Sequence, residues 1–105
     1  MRRTVDIARV RRQGTSRNDR LFVIHFGPSP SGDLRLAVSA SRALGTAVAR
    51  NRARRRIREA IRVALKEWPA TAPADILIVA RPAVREASAP ALRAAVVREL
   101  QAVLA

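Results

Sequence analysis

The sequence has few residues of several types, and each shortage excludes a class of site. It contains no cysteine and one histidine, so a disulfide framework, a thiolate metal site and a histidine metal cluster are excluded. Two phenylalanines and one tryptophan are its only aromatic residues. No run approaches the roughly 18 apolar residues of a membrane span, and the first residues lack the apolar segment of a secretory signal. We therefore expect a cytoplasmic protein with no membrane segment.

Carboxylates are scarce relative to cationic residues. Eight Asp and Glu residues accompany 21 Lys and Arg residues, which gives a formal net charge of +13. The acids are scattered, with no pair at metal-binding spacing, which disfavours a protein nuclease that works by a general acid and base or a carboxylate metal site. A charge of this sign and size is typical of proteins that bind nucleic acids or anionic surfaces. The length predicts a single domain, residues 1–105, with one modest core.

The cationic residues are concentrated in one predicted helix, which runs from Ala47 to Trp68. At about 100° per residue, one side of this helix is apolar and predicts a core contact. The apolar residues are Ile57, Ala60, Ile61, Ala64, Leu65 and Trp68. A second side carries Asn51, Arg55, Arg58 and Arg62, flanked by Arg52 and Arg56.

This arginine-rich side is unfavourable for a free helix. Like charges at i,i+4 repel by a few tenths of a kcal/mol per pair, and each cation near the N-terminus opposes the helix dipole by about 0.3–1 kcal/mol. Glu59 is the only carboxylate of the helix before Glu67. A solvated face is the ordinary interpretation of a charge run, but such faces usually mix signs. We therefore favour a polyanion along the helix, since arginine suits forked contacts to phosphate.

The flanking segments predict a sheet and two further helices. We expect, in chain order, a helix over residues 4–13, strands at Thr15–Arg17, Leu21–Phe26 and Leu34–Ser41, the central helix capped by Thr46, a strand at Asp75–Arg81, and a helix from Ser88 or Ala89. The order α-β-β-β-α-β-α predicts an α+β fold with helices packed against one sheet. The connector at 27–33 favours an antiparallel hairpin between the second and third strands, and the continuous apolar run of the last strand predicts a central, covered position.

One motif resembles a known family. The segment Arg50-Asn51-Arg52-x-Arg54-Arg55-x-Ile57-Arg58-Glu59 is similar to the RNR motif of the bacterial ribonuclease P protein component. Similarity extends to the strand and Leu44-Gly45 before the motif, to the last strand, and to the segment from Asp6 to Phe22. The resemblance implies a two-layer α/β sandwich like domain 2 of ribosomal protein S5, with a left-handed crossover around the motif helix, against the usual hand.

The resemblance also implies a function. Members of the family bind a catalytic RNA, and the complex removes the 5′ leader of precursor tRNA by hydrolysis that depends on Mg²⁺ bound mainly by the RNA. The implied contacts to the catalytic RNA are Arg50, Asn51, Arg52, Arg54, Arg55 and Arg58, to which the helical wheel adds Arg56 and Arg62. The implied leader-binding cleft holds Ile7, Arg11, Phe22 and His25.

The chain departs from the family where aromatic residues are common, at Ile7, Arg11 and His25. Stacking on aromatic side chains contributes about 1–3 kcal/mol per base, so leader recognition here is expected to be weaker per base or to depend more on arginine. A ribosomal or general structural RNA-binding protein is the main alternative. A DNA-binding helix lacks a preceding helix at helix-turn-helix spacing, and a membrane-surface helix would need the apolar stripe that the fold uses.

Overall fold

Four strands and two long helices make up the described part of the chain. The computed structural model describes residues 10–11, 14–30, 32–67 and 73–104. Its elements are β1 (Thr15–Asn18), β2 (Phe22–Gly27), β3 (Leu34–Ala40), α1 (Ala47–Glu67), β4 (Ala74–Ala80) and α2 (Ala89–Leu104). Two 3₁₀ helices that were not predicted lie at Arg42–Leu44 and Pro82–Glu86. Of the helix expected before Gly14, Val10 and Arg11 are described and both are helical; Trp68 lies outside the described residues.

The sheet order is β1-β2-β4-β3. β1 and β4 each pair with β2 in antiparallel orientation, and β3 pairs with β4 in parallel orientation. The predicted hairpin between β2 and β3 is therefore wrong, because β4 lies between them. β4 is the most apolar strand and is buried almost throughout, so the central position suits it, whereas β3 is half-buried along its length and lies at the edge. The prediction that β4 is central and covered is confirmed.

Helix α1 is the crossover that connects the parallel strands β3 and β4. Its N-terminus is fixed by Thr46, whose Oγ1 accepts a hydrogen bond from the backbone N–H of Ala49 at 3.1 Å, as the sequence predicts. Ser88 caps α2 in the same way, with Oγ accepting from the N–H of Ala91 at 3.1 Å. This crossover is the connection to which the resemblance assigns a left hand, and that hand stays a prediction.

Both helices pack on the same face of the sheet and form the core with it. From the sheet, the core takes Phe22, Ile24, Ile76, Ile78 and Ala80. From the helices it takes Ala53, Ile57, Ala60, Ile61 and Ala64 of α1 and Leu92, Ala95, Val96 and Leu100 of α2. Full burial of each large aliphatic side chain contributes about 1.5–3 kcal/mol. The predicted apolar side of α1 is confirmed for its described residues, with Leu65 at the partly buried margin, and α2 buries a similar set with Val103 at its margin.

Three acids form ion pairs within the fold, away from α1. Asp75 is fully buried in β4 and accepts two hydrogen bonds from Arg35 of the neighbouring strand, at 2.8 and 2.7 Å. Glu99 of α2 accepts from Arg17 of β1 at 2.8 Å. Asp19, in the turn after β1, accepts from Arg98 of α2 at 2.5 Å and from the N–H of Leu21. These pairs attach β3 and α2 to the rest of the sheet.

Candidate nucleic-acid interface

The arginines of α1 point in several directions around the helix. Asn51, Arg52, Arg55, Arg58 and Arg62 are exposed, whereas Arg50, Arg54 and Arg56 are half-buried. The first turn of α1 contains no acid. Among the described residues, Arg62 is the only arginine of α1 with a carboxylate partner. Since the other acids that form ion pairs bind arginines of other elements, the charge of α1 is largely uncompensated within the described chain.

A groove between α1 and α2 gathers most of the exposed arginines. This interhelical groove encloses about 740 Å³. It is lined by Arg52, Arg55, Arg56, Arg58, Glu59, Ala60, Arg62 and Val63 of α1 and by Ala89, Leu92 and Arg93 of α2. Six of these residues are cationic and one is acidic. The groove therefore combines an apolar floor with a strongly cationic rim, which suits a ligand that carries both phosphate and apolar surface.

Glu59 is the one acid of the groove, and it is paired with Arg62. The Arg62 guanidinium donates Nε–H to Oε2 at 3.0 Å and Nη2–H to Oε1 at 2.6 Å. The hydrogen bond from Arg62 lowers the pKa of Glu59, and the same bond raises the pKa of Arg62. Both side chains are exposed. A forked pair of this kind holds the guanidinium plane in one orientation at the rim.

Arg56 differs from its neighbours because its guanidinium is already engaged. Its Nη1 donates to the carbonyl oxygen of Val84, and its Nη2 donates to that of Ala87. These carbonyls lie in and just after the 3₁₀ helix at Pro82–Glu86, which leads into α2. Arg56 therefore holds the start of α2 against α1. The helical wheel did not distinguish Arg56 from the exposed arginines, because periodicity carries no information about the second 3₁₀ helix.

A second cationic cavity lies on the other flank of α1, toward the open face of the sheet, which is the face that α1 and α2 do not cover and on which Asp75 and Leu77 are nevertheless fully buried. This open-face cavity encloses about 510 Å³ and is lined by Arg11, Ser39, Ala40, Ser41, Arg42, Arg50, Arg54 and Val79. Four of these residues are arginines and none is acidic. Arg54 also donates to Oδ1 of Asn51. The buried Nε of Arg50 has no hydrogen-bond partner among the described residues. Its N–H can therefore donate a hydrogen bond to a bound anion.

The four candidates for the leader-binding cleft separate in the structure. Phe22 is fully buried on the helix-covered face of the sheet. A fully buried side chain offers no surface to a bound strand, so Phe22 is a core residue and not part of a cleft. His25 lies on the opposite face, half-buried, in register with Ser16 and Leu77. Ile7 lies outside the described residues.

His25 and Arg11 are electrostatically coupled on the open side of the sheet. Burial lowers the pKa of His25 below its ordinary value, and the charge of Arg11 lowers it further. Arg11 is exposed and also lines the open-face cavity. The two remaining cleft candidates thus share one side of the sheet with Arg50 and Arg54, and the lowered pKa of His25 favours its neutral form.

Arg42 and Arg93 are cationic lining residues that the sequence analysis missed. Arg42 lies in the first 3₁₀ helix and Arg93 in α2, so neither belongs to the motif helix. Arg93 follows the buried Leu92 in α2. Only the packing of α2 on α1 shows that Arg93 lies near the arginines of α1.

The described residues contain no group of three His, Asp or Glu side chains that could hold a metal ion. Within the same ranges, no helix combines the length and the apolar character that crossing a bilayer requires.

An α+β domain with cationic cavities on both flanks of one helix has the charge distribution that is typical of small nucleic-acid-binding proteins. Comparison with known proteins agrees with this class. The family model described as Ribonuclease P matches residues 1–103. The chain is 39% identical over 95 residues to the ribonuclease P protein component of Roseiflexus castenholzii, covering 89% of this chain and 75% of the relative. It is 36% identical over 102 residues to the ribonuclease P protein component of Chloroflexus aggregans, covering 96% of this chain and 74% of the relative.

Solved structures show the same fold. The RNase P protein of Staphylococcus aureus has a TM-score of 0.78 and 26% identity, covering all of this chain and 96% of that one. The RNase P protein of Thermotoga maritima has a TM-score of 0.83 and 22% identity, covering 98% of this chain and 96% of that one. At this identity the similarity supports the fold alone. The chain belongs to the ribonuclease P protein family, whose members are protein components of an RNA–protein complex that processes tRNA. The two-layer fold that the resemblance implied is confirmed.

Proposed function

We propose that this chain binds the catalytic RNA of ribonuclease P through α1, and that the complex removes the 5′ leader of precursor tRNA. The observation that carries the proposal is the cationic excess around α1, where the described arginines outnumber their carboxylate partners on both flanks. RNA phosphates supply the missing negative charge. Arg52, Arg55, Arg58 and Arg62 then contact the RNA from the interhelical groove, and Arg50, Asn51 and Arg54 from the open-face side.

The protein's part in the reaction is to hold RNA and not to break the phosphodiester bond. Phosphodiester hydrolysis by protein side chains needs a paired acid and base or a metal site, and the acids described in ion pairs are committed to arginines of the fold. We assign the hydrolysis to the RNA, which also binds most of the Mg²⁺ in this proposal. By neutralising phosphates that crowd together in the folded RNA, the arginines of α1 lower the Mg²⁺ concentration that the complex needs.

We assign the 5′ leader to the open face of the sheet, beside His25, Arg11 and the open-face cavity. This face offers a half-buried imidazole and several guanidinium groups but no exposed aromatic ring among the described residues. Leader binding therefore depends on phosphate contacts more than on base stacking, which is worth about 1–3 kcal/mol per base where aromatic residues supply it.

Reconstitution tests the proposal. The protein is mixed with the catalytic RNA from the same organism at low Mg²⁺, and cleavage of precursor tRNA is followed by gel electrophoresis. We expect cleavage at the mature 5′ end only when both components are present, and cleavage by RNA alone when Mg²⁺ is raised. Equal cleavage with and without protein at low Mg²⁺ would instead favour a general RNA-binding role.

A further inference from the structure

The interhelical groove has features that phosphate binding alone does not require. Ala60 and Leu92 at its base are nearly buried, at 3% and 2% exposed, so its accessible apolar surface includes the half-buried Val63 and the exposed Ala89. Most of the lining surface is apolar. An RNA duplex that lies across α1 presents a row of phosphates, which would contact the rim arginines and leave this apolar surface uncovered. Apolar surface is buried only by a group that enters the groove and has an apolar face.

A nucleotide combines an apolar face with a negative charge, which match the apolar surface and the cationic rim of the groove. Each base has an apolar π-face, and its own phosphate follows within the same nucleotide. Guanidinium planes stack on unpaired bases in RNA-binding proteins. Arg55, Arg58 and Arg93 provide such planes around the floor. The groove volume of about 740 Å³ falls in the range of sites that bind small ligands and is sufficient for one nucleotide.

The groove is also held open by contacts that involve no ligand. Arg56 donates to the carbonyls of Val84 and Ala87 and so fixes the start of α2 relative to α1. Glu59 accepts two hydrogen bonds from Arg62 and so fixes one guanidinium plane at the rim. A site whose walls are fixed before binding loses less conformational entropy when the ligand enters.

We propose that the interhelical groove takes one unstacked nucleotide of the RNA partner, with its base against Val63 and Ala89. The rim arginines, including Arg93 of α2, bind the adjacent phosphates. This inference rests on the proposed function and adds a defined subsite to it. It also gives α2 a direct role in RNA recognition, beyond its role in the core.

The test fills the groove without changing any charge. Ala89 is exposed at the edge of the groove, so Ala89→Phe places a ring where the base would lie. Ala94 is exposed on the same helix and does not line the groove, so Ala94→Phe is the matched control. The catalytic RNA from the same organism is the probe. Affinity is measured by filter binding, and base accessibility by dimethyl sulfate and carbodiimide modification of the unpaired nucleotides.

We expect Ala89→Phe to weaken RNA binding at least tenfold and to restore chemical modification at one base that the wild-type protein protects. Ala94→Phe should change neither quantity. Thermal melting by circular dichroism establishes that both variants fold. If Ala89→Phe binds as tightly as the wild type, or if no base protection depends on position 89, the subsite is wrong although RNA binding stands. If the wild type does not bind the RNA, the proposed function itself fails.

A second variant pair keeps the test informative should Ala89→Phe not fold. Arg93→Ala removes a rim cation, and Arg85→Ala removes an exposed cation of the 3₁₀ helix outside the groove. Removing one arginine–phosphate interaction lowers the slope of log K against log salt by about 0.7–0.9. Arg93→Ala should show this decrease together with renewed modification of the same base, and Arg85→Ala should show neither. Identical behaviour of the two variants would overturn the proposal.

Discussion

At the residue scale, two adjacent arginines of α1 are expected to have different functions. Arg55 is exposed at the interhelical groove, whereas Arg56 donates to two backbone carbonyls before α2. Sequence alone cannot separate them, because the motif places both in one cationic run. The two arginines differ because the 3₁₀ helix at Pro82–Glu86 packs beside Arg56, and this contact exists only in the folded chain.

Arg56→Ala should therefore destabilise the protein, and Arg55→Ala should not. Loss of Arg56 leaves two partly buried carbonyls without their charged donor, which costs about 1–3 kcal/mol. Arg55→Ala changes an exposed position, where effects stay within about 0.5 kcal/mol, but it should weaken RNA binding. Urea unfolding and RNA titration of both variants measure the two effects. Equal stability of the two variants would contradict the contacts assigned to Arg56.

His25 gives the residue-scale prediction for pH. In the free protein, burial and Arg11 hold the pKa of His25 below its ordinary value of 6.5. Phosphates of a leader strand on the open face would favour the charged imidazole and raise that pKa. Binding would then take up a proton, so affinity for the leader should increase as pH falls from 8 toward the pKa of the free protein.

The measurement is the affinity of the reconstituted complex for precursor tRNA with and without a leader, at several pH values. His25 is the only histidine of the chain, so His25→Gln removes the protein's imidazole contribution completely. The difference between the two substrates should depend on pH for the wild type and should be nearly flat for the variant. A wild-type difference that does not change with pH would place the leader away from His25.

At the scale of elements, long periodic segments could be predicted and pairings between distant strands could not. The apolar spacing of α1 and the caps Thr46 and Ser88 specify helices through local chemistry alone. The position of β3 depends on β4, which is 40 residues further along the chain at the Arg35–Asp75 pair. A connector of hairpin length between β2 and β3 therefore favoured the wrong neighbour.

The same limit explains the outcome for the cleft. Alternation in β2 places Phe22 and His25 on opposite faces, and the structure confirms this. Because the two side chains point to opposite faces, one cleft could not include both. Alternation alone does not tell which of the two faces the helices cover. Only the core formed with α1 and α2 shows that Phe22 lies inside and His25 outside.

Gly14 fixes how the chain enters β1, and this gives a prediction at the element scale. A Cβ at Gly14 would lie 2.5 Å from the carbonyl oxygens of both Phe26 and Val10. At Gly27 the nearest atom to such a Cβ is 3.6 Å away, an ordinary contact. Gly14→Ala should therefore destabilise by about 1–3 kcal/mol through overpacking, while Gly27→Ala should change stability much less. Chemical denaturation of both variants measures the difference, and equal midpoints would refute the close approach.

At the scale of the whole molecule, charge is distributed unevenly. The acids described in ion pairs hold β3, α2 and the turn after β1 in place, and among described α1 arginines only Arg62 has such a partner. The fold is stabilised by ion pairs on one set of elements, while α1 retains like charges that repel. A net charge of +13 on 105 residues strengthens this repulsion throughout the free protein.

Sodium chloride should therefore have opposite effects on folding and on RNA binding. In the free protein, added salt screens repulsion among the arginines, since the Debye length falls from about 30 Å at 0.01 M to about 10 Å at 0.1 M, so the melting temperature should rise over this range. In the complex, the same salt reduces the entropy gained when counterions leave the RNA phosphates, so the affinity should fall steeply. The double variant Arg52→Gln/Arg58→Gln should reduce both responses, because the same two cations cause both. Melting by circular dichroism and RNA titration across the salt series measure them. If salt lowered the melting temperature of the free protein in this range, or if the double variant reduced only one response, the arginines of α1 would not be the common cause.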